Sequence, residues 1–170
     1  MAIVEWVERL GADLGLGALP LAARGTCEVL LEDGTAFSLE LARDGETLFL
    51  HAALGPVPPE GPGLGPVLEA LLAANHVEGE EEGEGAALDG AALAIDPVMA
   101  EVVLGRVVAP GEVAGYEEFA GLVAGFVRRA ETERDRLRVL SGPPGQGDPP
   151  PAPAERVDDP MFLHAHFVRA

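Results

Sequence analysis

The amino-acid sequence predicts an α+β domain with the element order α-β-β-β-α-β-β-α, in which three helices accompany a five-stranded, mostly antiparallel sheet. Two Asp-Gly pairs, Asp33-Gly34 and Asp44-Gly45, separate three stretches of alternating apolar residues. This pattern is typical of consecutive β-hairpins with type I′ turns. An apolar helical period precedes these strands, and two further helical segments lie downstream of them. We expect this domain to span residues 1–140.

Apolar spacing and turn residues set the boundaries of each element. The first helix carries Ile3, Val7 and Leu10 on one side, as an amphipathic helix requires. The third helix is almost wholly charged over residues 131–138, so we expect that end to project into solvent. The predicted helices are Ile3–Leu14, Leu64–Asn75 and Glu112–Leu140, and the predicted strands are Thr26–Glu32, Thr35–Ala42, Glu46–Ala53, Ala91–Ile95 and Glu101–Val108.

Two segments follow the predicted domain. Residues 141–156 (SGPPGQGDPPPAPAER) are rich in Pro, Gly and Ala, a composition typical of a linker. Residues 157–170 form a tail that recovers apolar character. Within the domain, residues 78–85 are acidic and rich in glycine, and they predict a solvated loop. A basic partner or Ca²⁺ is the alternative for this run, although it lacks the alternating pattern of a Ca²⁺ loop.

The composition excludes several classes of protein. The formal net charge is −18, from 11 basic and 29 acidic residues, and every basic residue is an arginine. We therefore expect no binding to nucleic acid and none to anionic membranes. No apolar run approaches the roughly 18 residues of a membrane helix, and we expect no membrane insertion. Cys27 is the only cysteine, which excludes an internal disulfide and favours a cytoplasmic protein.

No group of residues predicts catalysis. Cys27 shares a strand side with Val29, which favours a buried small hydrophobe over a nucleophile. His164 and His166 would share one side of a strand, but no third metal ligand is evident. His51 is predicted as a surface histidine. The motifs GxxxxGK[ST], GxSxG and HExxH are absent. We expect no enzymatic activity, no metal and no cofactor.

The third predicted strand carries apolar residues on both of its faces. Leu48 and Leu50 would lie on one face, and Phe49 and Ala53 on the other. Three helices cannot cover both faces of the sheet, so we expect apolar surface to remain open for a partner. A sheet with one mixed face and no ligand is the alternative.

Several motifs occur in the order that characterises a known family. These are LGADLGLGALPLAARGTCEVLLEDG, TLFLHAALG, VLEALLAANH followed by a Gly-rich gap and ALAIDP, and a final helix from about Tyr116. Over about residues 1–140 the chain resembles the class I chaperones of bacterial type III secretion, the Tir-chaperone or CesT-like family. The resemblance implies a cytoplasmic homodimer that works without ATP. Such a chaperone binds the N-terminal region of a secreted effector and keeps it soluble and export-competent.

The resemblance also implies two binding surfaces. The client surface would comprise Val4, Val7, Leu10, Leu30, Phe49 and His51. The dimer surface would comprise Leu68, Leu71, Leu72, Val102 and Val103. Which strand face looks outward stays open, because a slip of one residue in register exchanges the two faces.

The tail is additional to the family pattern. We hypothesise that the tail docks on the client groove of the same chain or on its dimer mate through Phe162, Leu163, Phe167 and Val168. The flexible linker would favour this docking, because it gives the tail a high effective concentration at the groove. A disordered tail is the alternative. Two other functions remain open: a small acidic regulatory or scaffold module unrelated to secretion, and an enzyme with an unrecognised site. The enzyme would need at least two converging titratable side chains in a polar pocket.

Overall fold

Within the part of the chain that the structure describes, the fold is built from three helices and six strands. The structure, a computed structural model, describes residues 2–17, 19, 21, 25–31, 34–76, 90–141 and 163–164. The helices are α1 (Ala2–Asp13), α2 (Leu64–Asn75) and α3 (Tyr116–Ser141), and the strands are β1 (Thr26–Leu30), β2 (Ala36–Leu41), β3 (Leu48–Pro56), β4 (Ala91–Asp96), β5 (Glu101–Val108) and β6 (Leu163–His164). The predicted order of three helices and five antiparallel strands is confirmed, and β6 is added to it. The predicted acidic loop and all of the predicted linker except Ser141 lie outside the described residues.

The strands form one sheet in the order β4-β5-β3-β2-β1-β6. All neighbours pair antiparallel except β1 and β6, which pair parallel. The two hairpins place β1, β2 and β3 side by side, and the β4–β5 hairpin adds to the free side of β3. A register shift between Ala53 and Gly55 bends β3 where it pairs with β5.

The register separates the sheet into two faces. One row across the sheet contains Cys27, Leu39 and Leu50, and its neighbour contains Val29, Phe37, Ala52 and Leu104. All of these side chains are buried, and we call this side the inner face. The opposite side, the outer face, carries the row Glu28, Ser38 and His51. Period-two alternation in each strand is therefore the origin of the core.

The helices cover the inner face. α3 packs on β3 at the centre of the sheet, and both α1 and α2 pack against α3. The rings of Trp6 in α1 and Phe119 in α3 lie 5.8 Å apart at an interplanar angle of 35°. Phe119 and Val7 are completely shielded from solvent. The core thus lies between one layer of helices and one face of the sheet.

The β2–β3 turn differs from the predicted type I′ turn. That type requires a positive φ at both central residues, whereas of Asp44 and Gly45 only the glycine has one, at 71°. Gly45 N–H donates to the Ala42 carbonyl (3.0 Å), as in a type I turn. The Asp44 carboxylate accepts the Thr47 N–H (2.9 Å) and hydroxyl (2.7 Å). Hydrogen bonds of this kind, the Thr47 N–H first, lower the pKa of Asp44. Asp33 of the other turn lies outside the described residues.

The charged end of α3 is exposed in part, as predicted, at Asp135 and Arg138, but two of its charged residues pack against the protein. Glu133 is 3% exposed, and Arg134 is also buried. Arg129 and Arg136 approach the Glu133 carboxylate at 2.8 and 3.6 Å. Arg134 donates a hydrogen bond to the Thr35 hydroxyl just before β2. Burial is tolerated because charges of opposite sign on the same helix compensate each other.

We expect Glu133→Gln to lower the free energy of unfolding by about 3 kcal/mol, because it leaves arginine charge beside a buried, uncharged side chain. Arg136→Gln is the matched control. Since the Arg136 side chain is 46% exposed, its loss should cost less than about 1 kcal/mol. Chemical denaturation at pH 7 measures both. Equal decreases in the free energy of unfolding for the two variants would contradict the central role of the Glu133 carboxylate.

Candidate functional site

Two features of the described residues bear on chemistry: the grouping of metal-binding side chains and the environment of Cys27. No group of three or more His, Cys, Asp or Glu side chains among them could hold a metal ion. Cys27 is buried, as predicted. Desolvation, followed by the nearby charge of Glu28, raises the pKa of the Cys27 thiol. A thiol held in its protonated form is a poor nucleophile. The candidate functional site is a set of exposed apolar surfaces and sheet edges.

An apolar pair lies on the outer face of the sheet. Phe49 of β3 is 39% exposed, and its partner across the strands, Val107 of β5, is 50% exposed. His51, two residues along β3, is exposed on the same face. We call Phe49, His51 and Val107 the outer-face patch. The predicted client surface includes Phe49 and His51 but not Val107. Because adjacent strand residues point to opposite faces, a buried Val108 would have indicated that Val107 lies on the outer face.

Leu30 belongs to a different part of the outer face. It is half-buried and pairs with Ala36 at one end of the β1–β2 ladder. The row that contains Phe49 crosses β1 at Thr26, the other end of the strand. A single small contact therefore cannot include both Leu30 and Phe49, but an extended segment that crosses the sheet can.

The α1 members of the predicted client surface lie on the helix side. Val7 is 0% exposed and Leu10 is also buried, which corrects their predicted placement on the surface. Val4 is half-buried. Leu10 nevertheless lines a groove of about 280 Å³ between α1 and α3, whose other apolar walls include Val123 and Val127. The predicted client residues thus divide between two sides of the molecule.

A polar rim fixes one end of this groove. The Tyr116 hydroxyl donates to the Asp13 carboxylate at 2.5 Å. The Arg9 guanidinium lies 3.8 Å from the centre of the Tyr116 ring and 3.3 Å from Glu117. Burial, together with the hydrogen bond to Asp13, raises the pKa of Tyr116 to about 12. The hydroxyl consequently stays protonated at neutral pH and keeps α1 attached to the start of α3.

The predicted dimer residues also divide by exposure. Leu68 and Leu72 of α2 face solvent, and Leu72 is 72% exposed. Leu71, Val102 and Val103 are buried within the chain, which corrects their predicted placement on a surface. The α2 pair is available to a partner, whereas the other three side chains support the fold.

The tip of the β4–β5 hairpin presents apolar side chains that sequence reasoning missed. Val98 is 87% exposed, and Ile95 and Met99 are also exposed. The Asp96 carboxylate accepts the N–H groups of Val98 (2.7 Å) and Met99 (3.1 Å), and these bonds, the one from Met99 first, lower the pKa of Asp96. Ala100 completes the turn with a positive φ of 52°. Turns usually contain polar residues, so the apolar Val98 and Met99 in this turn could have indicated an exposed apolar surface.

α2 and the hairpin belong to one region of the molecule, because α2 packs on β4. We call their exposed apolar side chains the α2–hairpin patch. It consists of Leu68, Leu72, Ile95, Val98 and Met99.

A side chain caps the β4 edge of the sheet at its third residue, Leu93. The Asn75 amide nitrogen donates to the Leu93 carbonyl (2.7 Å), and its oxygen accepts the Leu93 N–H (2.8 Å). These two bonds take the place of a neighbouring strand at that residue. Asn75 ends α2 at the point where the helix reaches the sheet.

The β1 edge carries a strand. Leu163 and His164 pair in parallel with Val29 and Leu30. His164, considered from sequence as a metal ligand, thus lies in a strand, while His166 lies outside the described residues.

The sequence matches the family model of the Tir chaperone protein (CesT) family over residues 5–134, from α1 into α3. The chain belongs to this chaperone family, as the resemblance predicted. No curated protein matches the sequence. None of the helices in the described ranges is both long enough and apolar enough to cross a membrane.

Solved structures share the fold at low sequence identity. A chain of the ExsC–ExsE complex superposes with a TM-score of 0.61 at 19% identity, covering 79% of this chain and 92% of that one. For the HopA1–SchA chaperone–effector complex the TM-score is 0.56 at 16% identity, covering 77% and 91%. For the ExoU–SpcU heterodimer of the type III secretion system of Pseudomonas aeruginosa it is 0.54 at 22% identity, covering 81% and 96%.

We expect Asn75→Ala to lower the free energy of unfolding by about 2 kcal/mol, because the Leu93 N–H and carbonyl lose their partner. The opened edge should also increase self-association, seen as a larger mass in light scattering. Glu69→Ala, at an exposed site of the same helix, is the control and should change stability by less than about 0.5 kcal/mol. Unchanged stability in Asn75→Ala would show that water replaces the amide without loss.

Proposed function

We propose that this chain is an ATP-independent chaperone that binds the N-terminal region of a type III secreted effector in the bacterial cytoplasm. The proposal holds that binding keeps the effector segment soluble and export-competent. The observation that carries it is the family match over residues 5–134. A related fold has been solved as a chaperone–effector complex, that of HopA1 and SchA, which supports the same role here.

Binding would be passive. An extended client segment can lay apolar side chains on the outer-face patch and form backbone hydrogen bonds at a sheet edge. Each 100 Å² of apolar surface removed from water contributes about 2.5 kcal/mol before the entropic costs of association. No catalytic step is part of the proposal, and the buried, protonated Cys27 supports that view.

We also propose that the α2–hairpin patch forms a homodimer interface. Among the residues of α2 (LGPVLEALLAAN), only Glu69 is charged. In a chain of net charge −18, most surfaces would repel their own copy. A nearly uncharged helix beside an exposed apolar hairpin therefore favours self-association there more than elsewhere.

Val107→Glu tests the client surface. We expect the full-length, tagged variant to recover at least tenfold less effector from the native host than the wild type, because a carboxylate at the patch would be desolvated. Val139→Glu is the matched control, since it adds the same charge at a valine that is 81% exposed on α3. Mass spectrometry identifies the recovered protein, and limited proteolysis tests whether its N-terminal segment is protected.

Two results would contradict these assignments. Equal recovery by Val107→Glu and Val139→Glu would place the client elsewhere. Recovery of no secreted protein by the wild-type chain would overturn the chaperone function itself.

Leu72→Glu tests the dimer. The substituted side chain is exposed, so the fold should remain, as circular dichroism would show, while the mass from light scattering should fall from two chains to one. Val139→Glu should remain dimeric. A wild-type chain that is monomeric at micromolar concentration would rule out the proposed interface.

A further inference from the structure

The two edges of the sheet are closed by different devices. At β4, the Asn75 amide is part of the folded domain and bonds both backbone groups of Leu93. At β1, the neighbour is a two-residue strand, Leu163–His164, from the far end of the chain. An edge closed by a helix residue stays closed while the domain is folded. An edge covered by a two-residue strand, which a connection of 21 residues joins to α3, can open without unfolding of the domain.

We propose that β6 is an internal occupant of the β1 edge, and that a client strand must displace it to pair with the sheet. This inference rests on the proposed function, since it assumes that a client adds a strand. It assigns the strand-accepting site to β1 rather than β4 and makes the chain its own competitor for that site.

The pairing of β6 is suited to displacement. It engages two of the five residues of β1, whereas β2 pairs with all five. Parallel pairing is also slightly less stable per residue than antiparallel pairing. A client strand that covered the whole of β1 would replace a shorter ladder with a longer one.

The covalent connection compensates for this weak ladder. Residues 142–162 join the end of α3 to β6. A linker of this length gives an effective concentration on the order of 1 mM. If the free tail bound with a dissociation constant of about 0.1 mM, the edge would be occupied about ten to one, and client affinity would fall about tenfold.

The sequence around β6 resembles a client strand in its chemistry. Residues 161–168 are rich in apolar side chains (MFLHAHFV), as a segment recognised by an apolar surface would be. Residues 161–170 contain no acidic side chain, although the chain has 29. Glu28 is exposed on β1, so an uncharged or basic strand suits this edge better than an acidic one.

The test uses the full chain with the double substitution Leu163→Pro and His164→Pro. Proline cannot donate a backbone hydrogen bond, so β6 should be lost while the chain keeps its length. The matched control places the same two prolines at Ala152 and Ala154. Hydrogen exchange should accelerate at least tenfold at β1 amides that face away from β2, and only in the first variant. Equal exchange in all three chains would overturn the proposal.

Binding of a fluorescent peptide with the sequence of residues 157–170 gives a second readout. The double-proline variant should bind the peptide at least tenfold more tightly than the wild type, because its edge is free. Protection of β1 that falls on dilution of the wild type would show that the strand comes from a second copy, and would overturn an intrachain competitor.

The amount of effector recovered from the native host distinguishes failure of the displacement proposal from failure of the proposed chaperone function. The double-proline variant should retain more effector than the wild type. Equal retention would overturn displacement and leave the chaperone function intact. Retention by neither chain would overturn the function, whatever the exchange rates show.

Discussion

The helices of the described structure lie on one face of the sheet, and the accessible features of the molecule follow from this one-sided cover. A helix layer buries the row Val29, Phe37 and Leu104, which supplies the core. As a consequence, the outer face has no second layer, and the backbone groups at the two sheet edges need other partners. The outer-face patch, the Asn75 closure and the β6 pairing all lie where the helix layer does not reach.

The β4 and β1 edges differ in how their backbone groups are covered, and the proposed binding of a client strand accounts for this difference. A chain that exposes Phe49 and Val107 risks sheet-to-sheet association if both edges are also open. Asn75 lowers that risk at β4, because it occupies both backbone groups of Leu93 from a helix that packs on the sheet. At β1, permanent closure would also exclude a client strand. In the proposed mechanism, a weakly paired segment of the same chain satisfies the backbone groups of β1 until a client strand offers a longer ladder.

The element order was predictable because its signals are local. Apolar alternation, Asp-Gly turns and helical spacing need no knowledge of distant contacts, and α2 and β5 have the bounds that were predicted. Exposure was less predictable, because it depends on which elements meet. Val7 and Leu71 were assigned to surfaces but lie in the core. Within the charged end of α3, Glu133 is buried and paired with Arg129 of the same helix. The role of Asn75 depends on Leu93, which an intervening segment separates from it in sequence.

The charge distribution completes the description of a passive binding protein. Arginines such as Arg9, Arg106 and Arg129 pair with carboxylates of the same chain, so much of the positive charge is used internally. The net charge of −18 then acts on solvent and on other molecules, where it keeps a protein with uncovered apolar surface from aggregating. The nearly uncharged α2 is an exception to this rule, and so are residues 161–170, which contain no acidic side chain. Low charge repulsion at these two places is consistent with the contacts proposed there, between copies at α2 and between strand and edge at β1.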